Sequence, residues 1–234
     1  MRLYIDSSTR SSIYPSSSQF RFNINGGVNR GLGILLRKYV IWDSSFIVNQ
    51  YNNTFTINDG VVTYTITLSQ GNYNPVQLAS LLQSSLNNTG APYSWTVTYD
   101  SATNGFTITC TTSCTYYFTS YPLAGKLLGF TTNASGTSVS SNVPALLGTT
   151  GFYYLCFTNV PSANIQGNRY SFVIPNNVAL GSLLTSNNEI VSDLLDFNSE
   201  LSFQYLDIEL RDCNYNLVAL NSDWQLELDI VTNI

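Results

Sequence analysis

Two runs near the end of this 234-residue chain limit what it can fold into. Leu206, Ile208 and Leu210 alternate with Asp207, Glu209 and Arg211, and Trp224, Leu226, Leu228 and Ile230 alternate with Gln225, Glu227 and Asp229. A side-chain period of two belongs to a strand with one buried face and one wet face. Asp212 to Asn216 and Asn221 to Asp223 break the pattern with Asn and Asp, whose side chains hydrogen-bond nearby backbone and tolerate left-handed conformations. Leu201 to Val231 therefore predicts three antiparallel strands in a meander whose apolar face something else must cover.

Upstream, Phe20, Phe22 and Ile24 alternate with Arg21 and Asn23 as another strand. Residues 1–18, mostly Ser, Thr, Tyr and Arg, read as an N-terminal arm ordered only if a surface holds it. Gly26 to Gly33 reads as a glycine-rich loop; a phosphate-binding loop would close with Gly-Lys-Ser/Thr and lead into a helix, and this one does neither. Leu35 to Val48 predicts one bent strand or two short ones. Gly151 to Thr158, Arg169 to Ile174 and Glu189 to Leu195 follow as strands, with Pro161 and Pro175 marking ends.

The stretch from 51 to 130 differs. Thr54 to Asn58 and Val61 to Leu68 flank Asp59-Gly60 as a hairpin, and Tyr93 to Tyr99 and Phe106 to Cys110 form a second around Asp100 to Gly105. Between them Asn74 can cap a helix, Pro75 suits its first turn, Val76, Leu78, Leu81, Leu82 and Leu86 form a stripe, and Gly90 ends it. Tyr116 to Thr119 predicts a strand, Leu123 to Phe130 a helical turn, and residues 131–150 a Ser/Thr/Gly-rich connector. The expected fold is all-β, an eight-stranded jelly-roll sandwich built from 19–50 and 147–234, with an inserted small α+β subdomain plus connector at 51–146.

Only 10% of residues are charged, against about 25% in an average domain, while 44% are hydrophobic and 13% aromatic. Such a chain folds, and its uncharged polar surface suits coverage by neighbours. Residues 1–42 hold Arg2, Arg10, Arg21, Arg30, Arg37 and Lys38 against Asp6 alone. Residues 187–234 hold ten acids against Arg211 alone. A basic head and an acidic tail complement each other within one subunit, or between subunits, or are simply two solvated faces.

Reaction chemistry finds little footing. The absence of His excludes Ser-His and Cys-His nucleophile systems. Asp207, Glu209, Glu227 and Asp229 alternate on strands expected to be neighbours, and read as solvated carboxylates or contacts to a basic neighbour rather than an acid/base pair. Cys110 and Cys114 fall at an expected turn where they could bridge, whereas Cys156 and Cys213 read as core; none shows the C-x2-C knuckles of zinc sites. No metal and no cofactor is expected. Asp100 to Gly105 lacks the closing Glu of a calcium loop, and Lys126 lacks the upstream glycine of a P-loop. Trp95, Tyr99, Tyr116, Tyr117 and Phe118 suit core packing or a sugar platform. No signal-peptide pattern opens the chain and no apolar run approaches the roughly 20 residues of a membrane span, so reduced thiols inside a cell are expected and the sequons at Asn52, Asn87 and Asn133 are read as composition.

The segments Leu206 to Asp212, Asn216 to Val218 and Asn221 to Leu228 resemble the closing strands of the penton (minor capsid, single jelly-roll) proteins of virophages, polinton-like viruses and related double-stranded DNA viruses. Ser69 to Tyr73 leading into the Leu-rich helix, Trp95 to Tyr99, Gly105 to Thr109 and Leu127 to Phe130 resemble a module recurrent in structural proteins of such viruses and of some phages. The resemblance implies a structural virion protein of the icosahedral capsid, assembled inside the host cell. Five copies would close each vertex as a homopentamer beside the major capsid protein, with no catalysis, no small-molecule substrate and no specific nucleic-acid binding. A ring repeats one heterologous contact, so Arg2, Arg10 and Arg21 on one flank and Asp207, Glu209, Glu227 and Asp229 on the other are the expected interface residues. The arm is expected to tie subunits together beneath the shell, and 51–130 to project outward or meet the major capsid protein. The alternative is a viral receptor-binding or fibre-head protein that binds glycans through its Trp/Tyr surface.

Overall fold

The computed structural model describes residues 1–148, 151–165, 168–179, 181–186 and 194–233. Two compact units are formed, Met1–Ser45 with Thr149–Ile234, and Phe46–Gly148.

The first unit contains β1 (Arg2–Asp6), β2 (Gln19–Trp42) and, numbered past the five strands of the second unit, β8 (Phe152–Phe157), β9 (Ala163–Ile165), β10 (Asn168–Tyr170), β11 (Phe172–Pro175), β12 (Leu183–Thr185), β13 (Leu195–Arg211) and β14 (Trp224–Thr232). Everything is arranged on β2. Its first part pairs with β13, from Gln19 opposite Glu209 to Ile34 opposite Leu195. Its second part pairs with β14, from Gly31 opposite Thr232 to Ile41 opposite Trp224, and its end pairs with β12. β8 lies beyond β13, β11 beyond β8, and β1 beyond β14, all antiparallel. The order β1-β14-β2-β13-β8-β11 is one continuous sheet that works as two four-stranded layers, β11-β8-β13-β2 and β1-β14-β2-β12, with β2 counted in each. This is the all-β sandwich expected, with one strand serving both layers.

Local backbone chemistry explains how β2 passes from layer to layer. Gly26 and Gly27 take φ of +81° and +66°, and the ladder to β13 slips three times between Asp196 and Tyr205. At Gly33, where β2 runs between β13 and β14, a Cβ would sit 2.5 Å from the Leu195 carbonyl oxygen, so only glycine allows the approach. Further on, Lys38 faces Glu227 while Leu36 faces Leu228, which leaves Arg37 as an extra residue. That bulge flips the side-chain parity, so Leu36 and Tyr39 both point inward.

Several expectations are corrected here. Gly26 to Gly33 is strand, not loop. The closing meander does not form: β13 and β14 lie on opposite sides of β2, and the middle run contributes only the bridge between Arg211 and Leu217. Arg169 to Ile174 is divided at Ser171 between β10 and β11. Most of the strand expected over Glu189 to Leu195 lies outside the described residues.

One core fills the sandwich, with Phe20, Ile34, Leu36, Ile41, Leu155, Ile174, Ile208 and Leu228 among its buried residues. Trp224 links the layers: its ring lies 5.6 Å from that of Phe20, and its Nε1 donates to the Ser17 carbonyl at 2.8 Å. Burying an indole of about 200 Å² is worth roughly 5 kcal/mol before entropy costs. Asp43 is fully buried, yet its carboxylate accepts bonds from Tyr153 Oη (2.7 Å), Ser45 Oγ (2.7 Å) and Asn176 Nδ2 (3.1 Å). Burial at this position is tolerable because both oxygens are satisfied. The arm is held by the chain's own β14: Leu3 and Ile5 are buried, and Ser7 Oγ accepts from the Trp224 amide at 2.9 Å.

The second unit holds β3 (Thr54–Asn58), β4 (Thr63–Thr67), α1 (Pro75–Asn87), β5 (Trp95–Asp100), β6 (Gly105–Tyr116), α2 (Pro122–Leu128) and β7 (Ala134–Ser140). Its sheet runs β4-β3-β6-β5, with β7 also paired to β6. Asn74 caps α1 as expected, its Oδ1 accepting from the Gln77 amide at 2.9 Å while Gln77 Oε1 accepts from the Asn74 amide at 3.0 Å. Leu78, Leu82 and Leu86 are buried, but Val76 is exposed. Of the strand expected at Tyr116 to Thr119 only Tyr116 is strand, the last residue of one long β6, and 117–119 lie beyond it. Part of the expected connector is β7, bound to β6 through hydroxyl pairs Thr107–Ser140 (2.9 Å), Thr109–Ser138 (3.2 Å) and Thr115–Ser135 (2.9 Å). Hydroxyl ladders stabilise strands whose composition reads as linker.

Candidate interaction surface

All six cations of the basic head are paired with acids of the tail inside the same chain. Arg2 binds Asp229 (3.0 Å) and Glu227 (3.3 Å), and Arg21 holds Asp207 with two bonds of 2.7 and 3.0 Å. Arg30 grips Glu200 in the same forked way at 2.9 and 3.0 Å, and Lys38 stands 3.9 Å from Glu227. Arg10 pairs with Asp223 and Arg37 with Asp229. In the tail itself, Arg211 binds Glu209 at 2.7 Å. Of the alternatives open in the sequence, complementarity within one subunit is what this fold displays. Each exposed pair contributes about 0–1 kcal/mol, so their value lies more in register than in stability.

The pairs leave their mark on the carboxylates. The hydrogen bond from Arg30, then that from Asn233, lowers Glu200 to about 2. Burial pushes Asp229 up, but the bonds from Arg2 and Arg37 outweigh it and the net direction is down. Asp207 and Glu209 sit on β13, Glu227 and Asp229 on β14, with β2 between them, so the four do not meet as neighbours. Each faces a cation instead.

On the outer face of the first layer, the Arg21 guanidinium lies 3.8 Å over the Tyr205 ring and that of Arg211 4.5 Å over Tyr215. The Glu209 carboxylate between them is nearly buried, and accepts from Gln19 Nε2 (2.9 Å) and Arg211 Nε (2.8 Å). Two hollows adjoin there, one of ≈ 190 Å³ beside Tyr14 and Arg21 and one of ≈ 410 Å³ beside Cys156, Arg169 and Tyr215, both touching Thr158 and Glu209. On the outer face of the second layer, Val40 (37% exposed) and Trp42 (49%) of β2 and Leu183 (46%) of β12 form an apolar ladder, Trp42 directly opposite Leu183.

The sequence reading missed both features. Val40-Ile41-Trp42 did carry a signal, because in a half-buried strand Val40 and Trp42 must face away from Ile41. Nothing local singled out Arg169.

Other expected positions resolve as follows. Trp95, Tyr116 and Phe118 are buried, with Trp95 Nε1 donating to Tyr116 Oη at 3.3 Å and Phe118 stacked 4.5 Å from Phe130, so a sugar platform loses these three residues. Cys110 and Cys114 lie in β6 rather than at a turn, buried thiols with their sulfurs 3.8 Å apart. Burial, then the bond to Cys110, pushes Cys114 up to about 12, and burial pushes Cys156 up to about 11. Cys213, expected in the core, is exposed. Asp100 closes its own turn by accepting from the Ala102 amide (2.9 Å) and Thr103 Oγ1 (3.0 Å).

No protein-family model and no curated protein sequence matches this chain. Among solved structures, it is similar to the mavirus penton protein at 9% identity, with a TM-score of 0.43 over 99% of both chains. It is similar also to a chain of the Sputnik virophage, solved at 3.5 Å by cryo-EM, at 10% identity with a TM-score of 0.42, over 99% of this chain and 98% of that one. Among the described residues, no helix is long and apolar enough to cross a membrane, and no three His, Cys, Asp or Glu side chains cluster as a metal site requires.

Proposed function

We propose that the chain is a structural virion protein, a penton or minor capsid subunit, five copies of which close a vertex of an icosahedral shell beside the major capsid protein. The observation that carries the proposal is the outer surface of the sandwich. Its charges are largely spent on one another, the head cations being engaged by the chain's own tail, and Val40, Trp42 and Leu183 stand exposed together. A surface of this kind loses little on desolvation and gains by being covered, which suits permanent neighbours better than free solution. The closing strands supply the kind of assembly, through their resemblance to penton proteins.

In this reading residues 1–18, the body at 19–50 and 147–234, and the insert with its connector at 51–146 are separate parts of the assembly machinery. Arg2, Arg10, Arg21, Asp207, Glu209, Glu227 and Asp229 contribute as paired charges whose outer edges a neighbour meets. No catalytic role is assigned.

Native mass spectrometry of the purified chain, with and without the major shell protein, tests the proposal. A pentamer, or incorporation at vertices, is the expected result. A trimer that binds glycans would favour the fibre-head alternative, and a chain monomeric at every concentration would overturn assembly altogether.

A further inference from the structure

We infer that the hollow around Arg169 is a docking site for the exposed acidic strip at Asp196 of a second copy of this chain. This rests on the assembly reading above and names the contact through which two copies meet.

The fold leaves a few charges over. Among the described residues only Arg169 and Lys126 lack an acidic partner, and Arg169 is the one in the sandwich unit. It is exposed and lines the ≈ 410 Å³ hollow. Tyr215 lines it as well, its ring centroid 6.1 Å from that of Tyr154, which in turn lies 5.4 Å from Tyr170. Arginine set among tyrosines is the composition of residues that dominate binding energy at protein contacts, because rigid rings bury much area at little entropic cost. Glu209 also lines the hollow, but its carboxylate is held by Gln19 and Arg211, so the charge left unpaired there is that of Arg169, which fits a carboxylate carried on protein.

The acids can be sorted in the same way. Six described carboxylates have no cation: Asp6, Asp43, Asp59, Asp100, Asp196 and Asp212. In five of them both oxygens accept hydrogen bonds from the chain itself. Asp196 is the exception, with only Oδ1 engaged, by the Asn198 amide at 2.8 Å. It is exposed, and Asn198 to Glu200 beside it are exposed as well.

The two leftovers cannot meet within one copy. Asp196 opens β13, whereas the hollow lies at its other end, against Glu209 and Arg211. Thirteen residues of strand separate Asp196 from Glu209, about 40 Å at roughly 3.3 Å per residue. A cation at one end of a strand and an acid at the other make a head-to-tail contact between copies, the kind that closes a ring.

Charge exchange tests this. Arg169→Glu and Asp196→Arg are made singly and together, and association of the full-length chain is followed by native mass spectrometry and sedimentation, with circular dichroism confirming the same fold in all four proteins. Each single variant is expected to weaken association about tenfold or more, and the double variant to recover to within about threefold of the unaltered chain. If the unaltered chain assembles and the single variants assemble equally well, or the double variant fails to recover, this contact is wrong while the assembly reading stands. If the unaltered chain never associates, the assembly reading falls and takes this contact with it.

Discussion

Replacing Trp224 separates two contributions to the sandwich. The residue is 1% exposed, its ring packs on Phe20 of the facing layer, and its Nε1 is the donor to the Ser17 carbonyl. Trp224→Phe keeps a ring against Phe20 but leaves that carbonyl without its donor, which costs about 1–2 kcal/mol. Trp224→Ala removes the ring too, and the cavity raises the cost to about 4–6 kcal/mol. Against a total of about 5–15 kcal/mol for a domain, the phenylalanine variant stays folded and the alanine variant lies at the edge of unfolding. Urea unfolding followed by far-ultraviolet circular dichroism reads both. With a slope of about 2 kcal/mol per molar, the phenylalanine midpoint should fall by about 0.5–1 M. Equal midpoints for the two variants, or an alanine cost below about 2 kcal/mol, would refute the claim that this ring joins the layers.

Asn74→Ala removes the cap of α1 and should cost about 1 kcal/mol, seen as a lower Tm of the Phe46–Gly148 unit, with Asn74→Asp retaining most of it. Glu200 titrates at about 2 in the folded chain, so its pairing stabilises fully above the ordinary carboxylate range and is lost as pH falls through that range toward 2. Arg30→Gln should move the Glu200 titration up toward about 4, and an unchanged NMR midpoint would show that Arg30 is not the cause. Under native conditions a maleimide should label Cys213 first, while Cys110, Cys114 and Cys156 react only after unfolding; early loss of the Cys114 thiol would contradict its burial.

Much of the local structure was legible because it depends on neighbours in sequence. The alternation through Leu206 and Trp224 marks strands because a pleated backbone sends consecutive side chains to opposite faces. Asn74-Pro75 with Gln77 marks a helix start because those groups satisfy orphan amides. The exceptions are equally physical. Gly26 to Gly33 looks like a loop, yet here glycine lets β2 bend and lets β13 approach. Ser135, Ser138 and Ser140 look like linker, yet their hydroxyls reach the threonines of β6.

By itself, then, the chain determined that it would be strand-rich, where its best helix would begin, which residues along its closing strands would turn inward, and that an acidic tail would seek cations. Only the tertiary structure decided that β2 would run between β13 and β14, that the Arg37 bulge would turn both Leu36 and Tyr39 inward, and which cation would meet which acid. Arg2 reaches Asp229 across 227 positions and Arg21 reaches Asp207 across 186. The entropy of closing such loops changes only with the logarithm of their length, so sequence separation scarcely ranks one partner above another. The choice falls to the packing of two layers around one shared core.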